Sequence, residues 1–171
     1  AVVVQALVPA EAAGIMFTAN PLNGRRDEAV INAAWGLGEA IVGGEVTPDS
    51  YTVDTATGEM LERQIAEKHI MTVRVDGGAA TQPVPQALRR APVLDEAQVA
   101  GLVQLGVRIE EFYGDPRDIE WALTAGGEFA ILQARPITAL PELELDPPTE
   151  WGPLAPKMIY MRHSIVELLP D

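Results

Sequence analysis

The sequence predicts an α+β fold, mainly antiparallel β-sheet with helices packed on it. Three observations carry this. Short runs of apolar or alternating residues recur along the 171 residues, parted by turn chemistry. The clearest apolar stripe at helical spacing follows Asp95. Two alternating runs flank Gly126-Gly127, so these neighbours in sequence read as an antiparallel hairpin.

Taken in order, Val2 to Val8 is an apolar run closed by Pro9 and reads as a strand buried on both faces. Gln5 is its polar exception, suited to bonding a neighbouring backbone group. Gly14 to Ala19 reads as a second strand, and Asn20-Pro21-Leu22-Asn23-Gly24 as a turn. Arg25, Arg26, Asp27 and Glu28 fit a solvated hairpin tip better than a phosphate clamp, and Ala29 to Ala34 returns as a strand. Gly36-Leu37-Gly38-Glu39 opens a brief helix through Val42. Tyr51–Asp54, Met60–Ala66 and Lys68–Val75 then form a meander of hairpins. His69 in that meander reads as structural, and residues 77–93 as a loop crossing the domain.

Asp95 caps the long helix, and Val99, Leu102, Val103, Ile109 and Phe112 make its core stripe. Gly101 and Gly106 weaken that helix but allow it to lie close to a strand. Tyr113-Gly114-Asp115-Pro116 ends it. Beyond Thr138, prolines make residues 139–157 a stiff linker, and an apolar pattern over 158–171 starts a further segment. His163 in that segment is assigned no role.

Composition narrows the function. A net charge of −13 disfavours nucleic acid or an anionic membrane as partner. No cysteine is present, so disulfides and thiol catalysis drop out, which fits a cytoplasmic protein. No apolar run is long enough to span a bilayer. The chain opens on Ala1 and closes on Asp171 in mid-pattern, which suggests a piece of a longer protein.

The chemistry concentrates in the last hairpin. Centring the pairing on Gly126-Gly127 sets Asp118 opposite Arg135 and Glu120 opposite Gln133. Residues two apart on a strand share a face, so all four should project together, with Ile119, Trp121, Leu123, Leu132 and Ala134 on the core side. Asp118 and Glu120 offer hard oxygen ligands for Mg²⁺, Gln133 a neutral one, and Arg135 a fork for phosphate oxygens. That set suits a metal-bound polyphosphate. An ordinary surface ion pair between Asp118 and Arg135 fits the same residues.

Three blocks, in order, resemble a known family. They are Gly14-Ile15-Met16-Phe17-Thr18-Ala19-Asn20-Pro21, Ala34-Trp35-Gly36-Leu37-Gly38-Glu39, and Asp118-Ile119-Glu120-Trp121 with Leu132-Gln133-Ala134-Arg135-Pro136-Ile137-Thr138. Together they are similar to the ATP-grasp nucleotide-binding domain of phosphoenolpyruvate synthase, pyruvate phosphate dikinase and rifampicin phosphotransferase. The resemblance covers residues 1–138 and implies the C-terminal part of that domain.

It also implies ATP and Mg²⁺ as ligands. The backbone near Gln5, Ala6 and Leu7 would meet the adenine edge, and Glu39 would bond the ribose hydroxyls. Asp118, Glu120 and Gln133 would hold Mg²⁺, with Arg135, Glu120 and Gln133 serving catalysis. In such families phosphate passes from ATP to an enzyme histidine and then to pyruvate; in rifampicin phosphotransferase an antibiotic is the acceptor. A non-catalytic nucleotide-binding module is the remaining reading. The phosphate-binding Lys and second Arg of the preceding ATP-grasp lobe, the phosphohistidine domain and the acceptor domain match no segment here, so they are expected as missing partners and the isolated piece as inactive.

Overall fold

A computed structural model describes residues 2, 4–44 and 46–141. The linker and following segment expected over 139–171 lie almost wholly outside the described residues, His163 included.

Eight strands and two α-helices are found among the described residues: β1 (Ala10–Phe17), β2 (Glu28–Trp35), α1 (Glu39–Val42), β3 (Asp49–Asp54), β4 (Met60–Gln64), β5 (Ile70–Val75), β6 (Gly78–Pro83), α2 (Glu96–Tyr113), β7 (Arg117–Thr124) and β8 (Phe129–Pro136). Six strands form one antiparallel sheet in the order β4-β3-β2-β1-β7-β8, and β5 pairs with β6 separately. The fold is α+β and mainly antiparallel, as the sequence predicts, although among the described residues only α2 is a helix of any length.

Helix α2 covers one face. Its N-terminus carries the cap predicted at Asp95: the Asp95 carboxylate accepts from the Gln98 N–H at 2.8 Å, and Gln98 Oε1 accepts from the Asp95 N–H at 2.9 Å. Two otherwise orphaned N–H groups are thereby satisfied. Val99, Leu102 and Val103 are buried against Met16, Ile119 and Trp121. Gly106 is buried too, and a Cβ there would fall 2.2 Å from Met16 Cε, so its small size lets the helix approach β1. Gly101 has open space around it and plays no such part.

Phe112 departs from the predicted stripe and is 81 % exposed. At about 100° per residue it has rotated roughly 80° off Leu102. It packs edge-on to Tyr113 instead, at 5.0 Å between ring centres.

Two further expectations are corrected. Residues 4–9 form no strand, and Val2 and Val4 are exposed rather than buried. An apolar run does not by itself distinguish a core strand from a segment lying along a cavity. Residues 77–93 are not simply a loop, because β6 and a 3-10 turn at Gln86–Leu88 occupy them. β6 is exposed along its length, so it has no buried face to print an alternation on the sequence.

A buried ion pair joins the parts. Asp49 and Lys68 are essentially inaccessible and bond each other. Asp49 also accepts from the backbone N–H groups of Ala66 at 2.9 Å and Val93 at 2.8 Å. Strand β3 is thus tied to the approach to β5 and to the segment leading into α2.

Candidate functional site

The face of the sheet away from α2 is lined with small residues. Ala34 pairs with Ala13, Ala13 with Ala122 and Ala122 with Ala130, a row crossing four strands. Ala13 and Ala122 form part of the floor of a cavity of about 680 Å³, a volume in the range of ligand pockets. Gln5 to Val8 border it on one side, and Leu37 to Glu39 on another.

At its β7–β8 side the hairpin carries the predicted cluster. Asp118 pairs with Arg135 and Glu120 with Gln133, as the glycine-centred register requires. The route to that register differs from the prediction. Of the Gly126-Gly127 pair only Gly127 has a positive φ, +77°, because the connection is longer than a two-residue turn and is closed by the Thr124 N–H on Glu128 O at 3.0 Å. Pairing near the loop is therefore shifted by one residue, with Trp121 opposite Ile131. A β-bulge between Glu120 and Trp121 takes the shift back.

Leu132 is the extra residue of that bulge. It is not on the core side as predicted; Ile131 packs there instead, and Leu132 lines the cavity. Its carbonyl accepts from Gln5 Nε2 at 3.3 Å, so Gln5 has the backbone-bonding role its sequence position suggests. Trp121 is fully buried as predicted. It lies close to β1 because residue 14 has no side chain: a Cβ there would fall 1.9 Å from Asn32 O and 2.5 Å from Trp121 Cζ2.

Electrostatically the cluster is asymmetric. Arg135 Nε and Nη2 both reach Asp118 Oδ2, at 2.9 and 2.8 Å, with Arg135 half exposed and Asp118 nearly buried. Asp118 Oδ1 is buried with no hydrogen-bond partner among the described residues. An orphaned carboxylate oxygen is costly to bury and is a natural ligand for a hard cation. Glu120 is half-buried and Gln133 exposed beside it. Among the described residues no three His, Cys, Asp or Glu side chains converge as a metal cage. Two carboxylates and an amide do fit Mg²⁺, which commonly takes one or two protein carboxylates and leaves other positions to phosphate and water.

The second block sits at the cavity's other rim. Trp35 Nε1 donates to Leu88 O at 3.0 Å, Leu37 is buried and lines the cavity, and Glu39 stands exposed at its edge in the first turn of α1. The Asn20–Glu28 turn is a closed polar cluster. Asn20 Nδ2 donates to Glu28 Oε2 at 2.7 Å, and Arg25 pairs with Asp27 and Glu28. The hydrogen bond to Asp27 holds the Arg25 guanidinium above its ordinary value. Sequence reasoning missed the Asp49–Lys68 pair altogether, because 19 residues separate its members and neither stands in a recognisable motif.

An apolar slot ending at the Glu120 carboxylate and the Gln133 amide, with the Asp118–Arg135 pair next along the hairpin, suits a ligand apolar at one end and polyanionic at the other. Comparison with known proteins agrees. The pyruvate phosphate dikinase AMP/ATP-binding domain model matches residues 1–150, and the chain belongs to that family. Among its relatives, a probable phosphoenolpyruvate synthase of Methanothermobacter thermautotrophicus is 49% identical over 83% of this chain. Another from Methanocaldococcus jannaschii is 47% identical over 82% of it. A rifampicin phosphotransferase from a Streptomyces species is 47% identical over 81%. The chain spans 20%, 12% and 16% of these relatives respectively, so it corresponds to a minor part of each. No described helix is long and apolar enough to cross a membrane.

Proposed function

We propose that residues 1–138 are the C-terminal part of an ATP-grasp nucleotide-binding domain in a phosphotransferase of the phosphoenolpyruvate synthase type. The observation that carries this is that Glu120 and Gln133 line the cavity over the alanine row, with the Asp118–Arg135 pair two residues further along the same two strands. Adenine lies against Leu132 and the backbone of Gln5 to Leu7, and Glu39 bonds the ribose hydroxyls. Glu120, Gln133 and Asp118 would hold Mg²⁺, which would neutralise charge on the phosphates. Arg135 stabilises the charge that shifts among phosphoryl oxygens, the positioning and electrostatics on which phosphoryl transfer depends. In the whole protein the phosphoryl group goes to an enzyme histidine and then to pyruvate, giving phosphoenolpyruvate. The preceding lobe, a phosphohistidine domain and an acceptor domain complete the machinery.

The Arg135–Asp118 pair is also the observation that favours a purely structural role for Arg135. Arg135→Lys separates the readings, because it keeps the charge and loses the fork. In the full-length protein we expect histidine phosphorylation from labelled ATP to slow by roughly a hundredfold or more, about 3 kcal/mol, with nucleotide affinity much less affected. A near-normal rate with a lowered melting temperature would assign Arg135 to holding the hairpin. The 47% identical rifampicin phosphotransferase keeps an antibiotic acceptor as the second reading. Assaying the phosphorylated protein with pyruvate and with rifampicin decides between them.

A further inference from the structure

The Ala34–Glu39 block contains a residue whose place in the fold is set by a neighbour far away in sequence. Gly36 lies one residue past the end of β2, with φ +83°. Its N–H donates to Glu11 O at 2.8 Å, and it forms an isolated parallel bridge with Thr72. The next N–H, of Leu37, donates to Thr72 O at 2.7 Å. A Cβ on residue 36 would fall 2.1 Å from that same carbonyl oxygen, which is backbone and has no rotamer to yield. Any other residue would therefore meet both a disfavoured φ and a collision.

The acceptor is itself fixed. Thr72 is buried on β5. The chain entering β5 is held by the Lys68–Asp49 pair, by the Lys68 N–H on Arg89 O at 2.8 Å, and by the Val84 N–H on His69 O at 2.9 Å. From the held residue Leu37, only Gly38 intervenes before Glu39 at the cavity rim.

We propose that the Gly36–Thr72 bridge is a positioning device that aims Glu39 at the sugar of the bound nucleotide, so that Gly36 sets ribose recognition without touching the ligand. This rests on the nucleotide reading above. Without the bridge, the start of α1 would lose its tie to β5, and the Glu39 carboxylate would sample orientations away from the cavity.

The test titrates the full-length protein calorimetrically with Mg-ATP and with Mg-2′,3′-dideoxy-ATP. The wild type should prefer ATP by about tenfold or more, as loss of hydrogen bonds to a charged acceptor implies. Gly36→Ala should cut that preference to about twofold or less by weakening ATP, while dideoxy-ATP binds nearly as before. Hydrogen exchange should show the Leu37 amide losing protection with β7 amides unchanged. If Gly36→Ala does not fold, Thr72→Gly loosens the backbone bearing the acceptor carbonyl and should move the ratio the same way. A wild-type ratio in the folded variant, or equal weakening of both nucleotides, overturns the inference and leaves the nucleotide reading standing. A wild type that binds ATP without preferring it to the dideoxy form removes Glu39 from the sugar, and the inference with it. A wild type that binds neither nucleotide overturns both.

Discussion

Ala122→Leu tests whether the alanine row is the floor on which a nucleotide lies. Ala122 is 1% exposed, sits between Ala13 and Ala130, and faces the cavity rather than the α2 core. A leucine there adds three carbons pointing into the space proposed for the ligand. Forcing that much extra volume against a packed partner costs about 1–3 kcal/mol. Converted to affinity, this weakens Mg-ATP binding by roughly five- to 140-fold. The apo fold should tolerate the change, because the cavity of about 680 Å³ takes up the new side chain without displacing core residues. Calorimetry with Mg-ATP on the full-length protein, run beside a thermal melt, reads both quantities. Unchanged affinity with an unchanged melt would refute the proposal that the ligand rests on this floor. A large drop in melting temperature would refute the claim that the side chain enters open space.

Two further outcomes concern the support. Lys68→Met leaves Asp49 buried without its cation, and should cost about 3 kcal/mol, the lower end for a broken buried pair, since Asp49 keeps the Ala66 and Val93 N–H donors. Hydrogen exchange of β3 amides under urea measures it; Asp49→Asn added to Lys68→Met should recover part of the loss, and an effect below about 1 kcal/mol would contradict the network. Burial raises the Tyr51 hydroxyl above its ordinary 10.0, so folding favours its neutral form. That contribution is fully present below the unfolded value and is lost as pH rises through the folded one. Tyrosinate absorbance should show one late ionisation coinciding with alkaline unfolding, absent in Tyr51→Phe.

The sequence by itself determined the local structure. Asp95 with Gln98 marks a helix start because a capping box needs only residues three apart. Asn20-Pro21 and Gly126-Gly127 mark turns through backbone preference alone, and alternation over Asp118–Thr124 fixes which residues share a face. The association of Asp118, Glu120, Gln133 and Arg135 was legible for the same reason, since a hairpin pairs residues that are close along the chain. The three blocks carried the family assignment.

Tertiary structure decided what depends on distant partners. The bulge that carries Leu132 from the core side to the cavity arises because a longer loop and a two-strand ladder must be reconciled, and no residue at the site announces it. Phe112 lies at the edge of the helical stripe, turned away from the sheet, and packs on Tyr113 instead. The strand β6 left no alternation because neither of its faces is buried. Asp49 with Lys68, and Gly36 with Thr72, meet only after the sheet and the β5–β6 hairpin have been brought together. Periodicity and turn chemistry act over a few residues, whereas burial and long-range pairing depend on where the rest of the chain has packed.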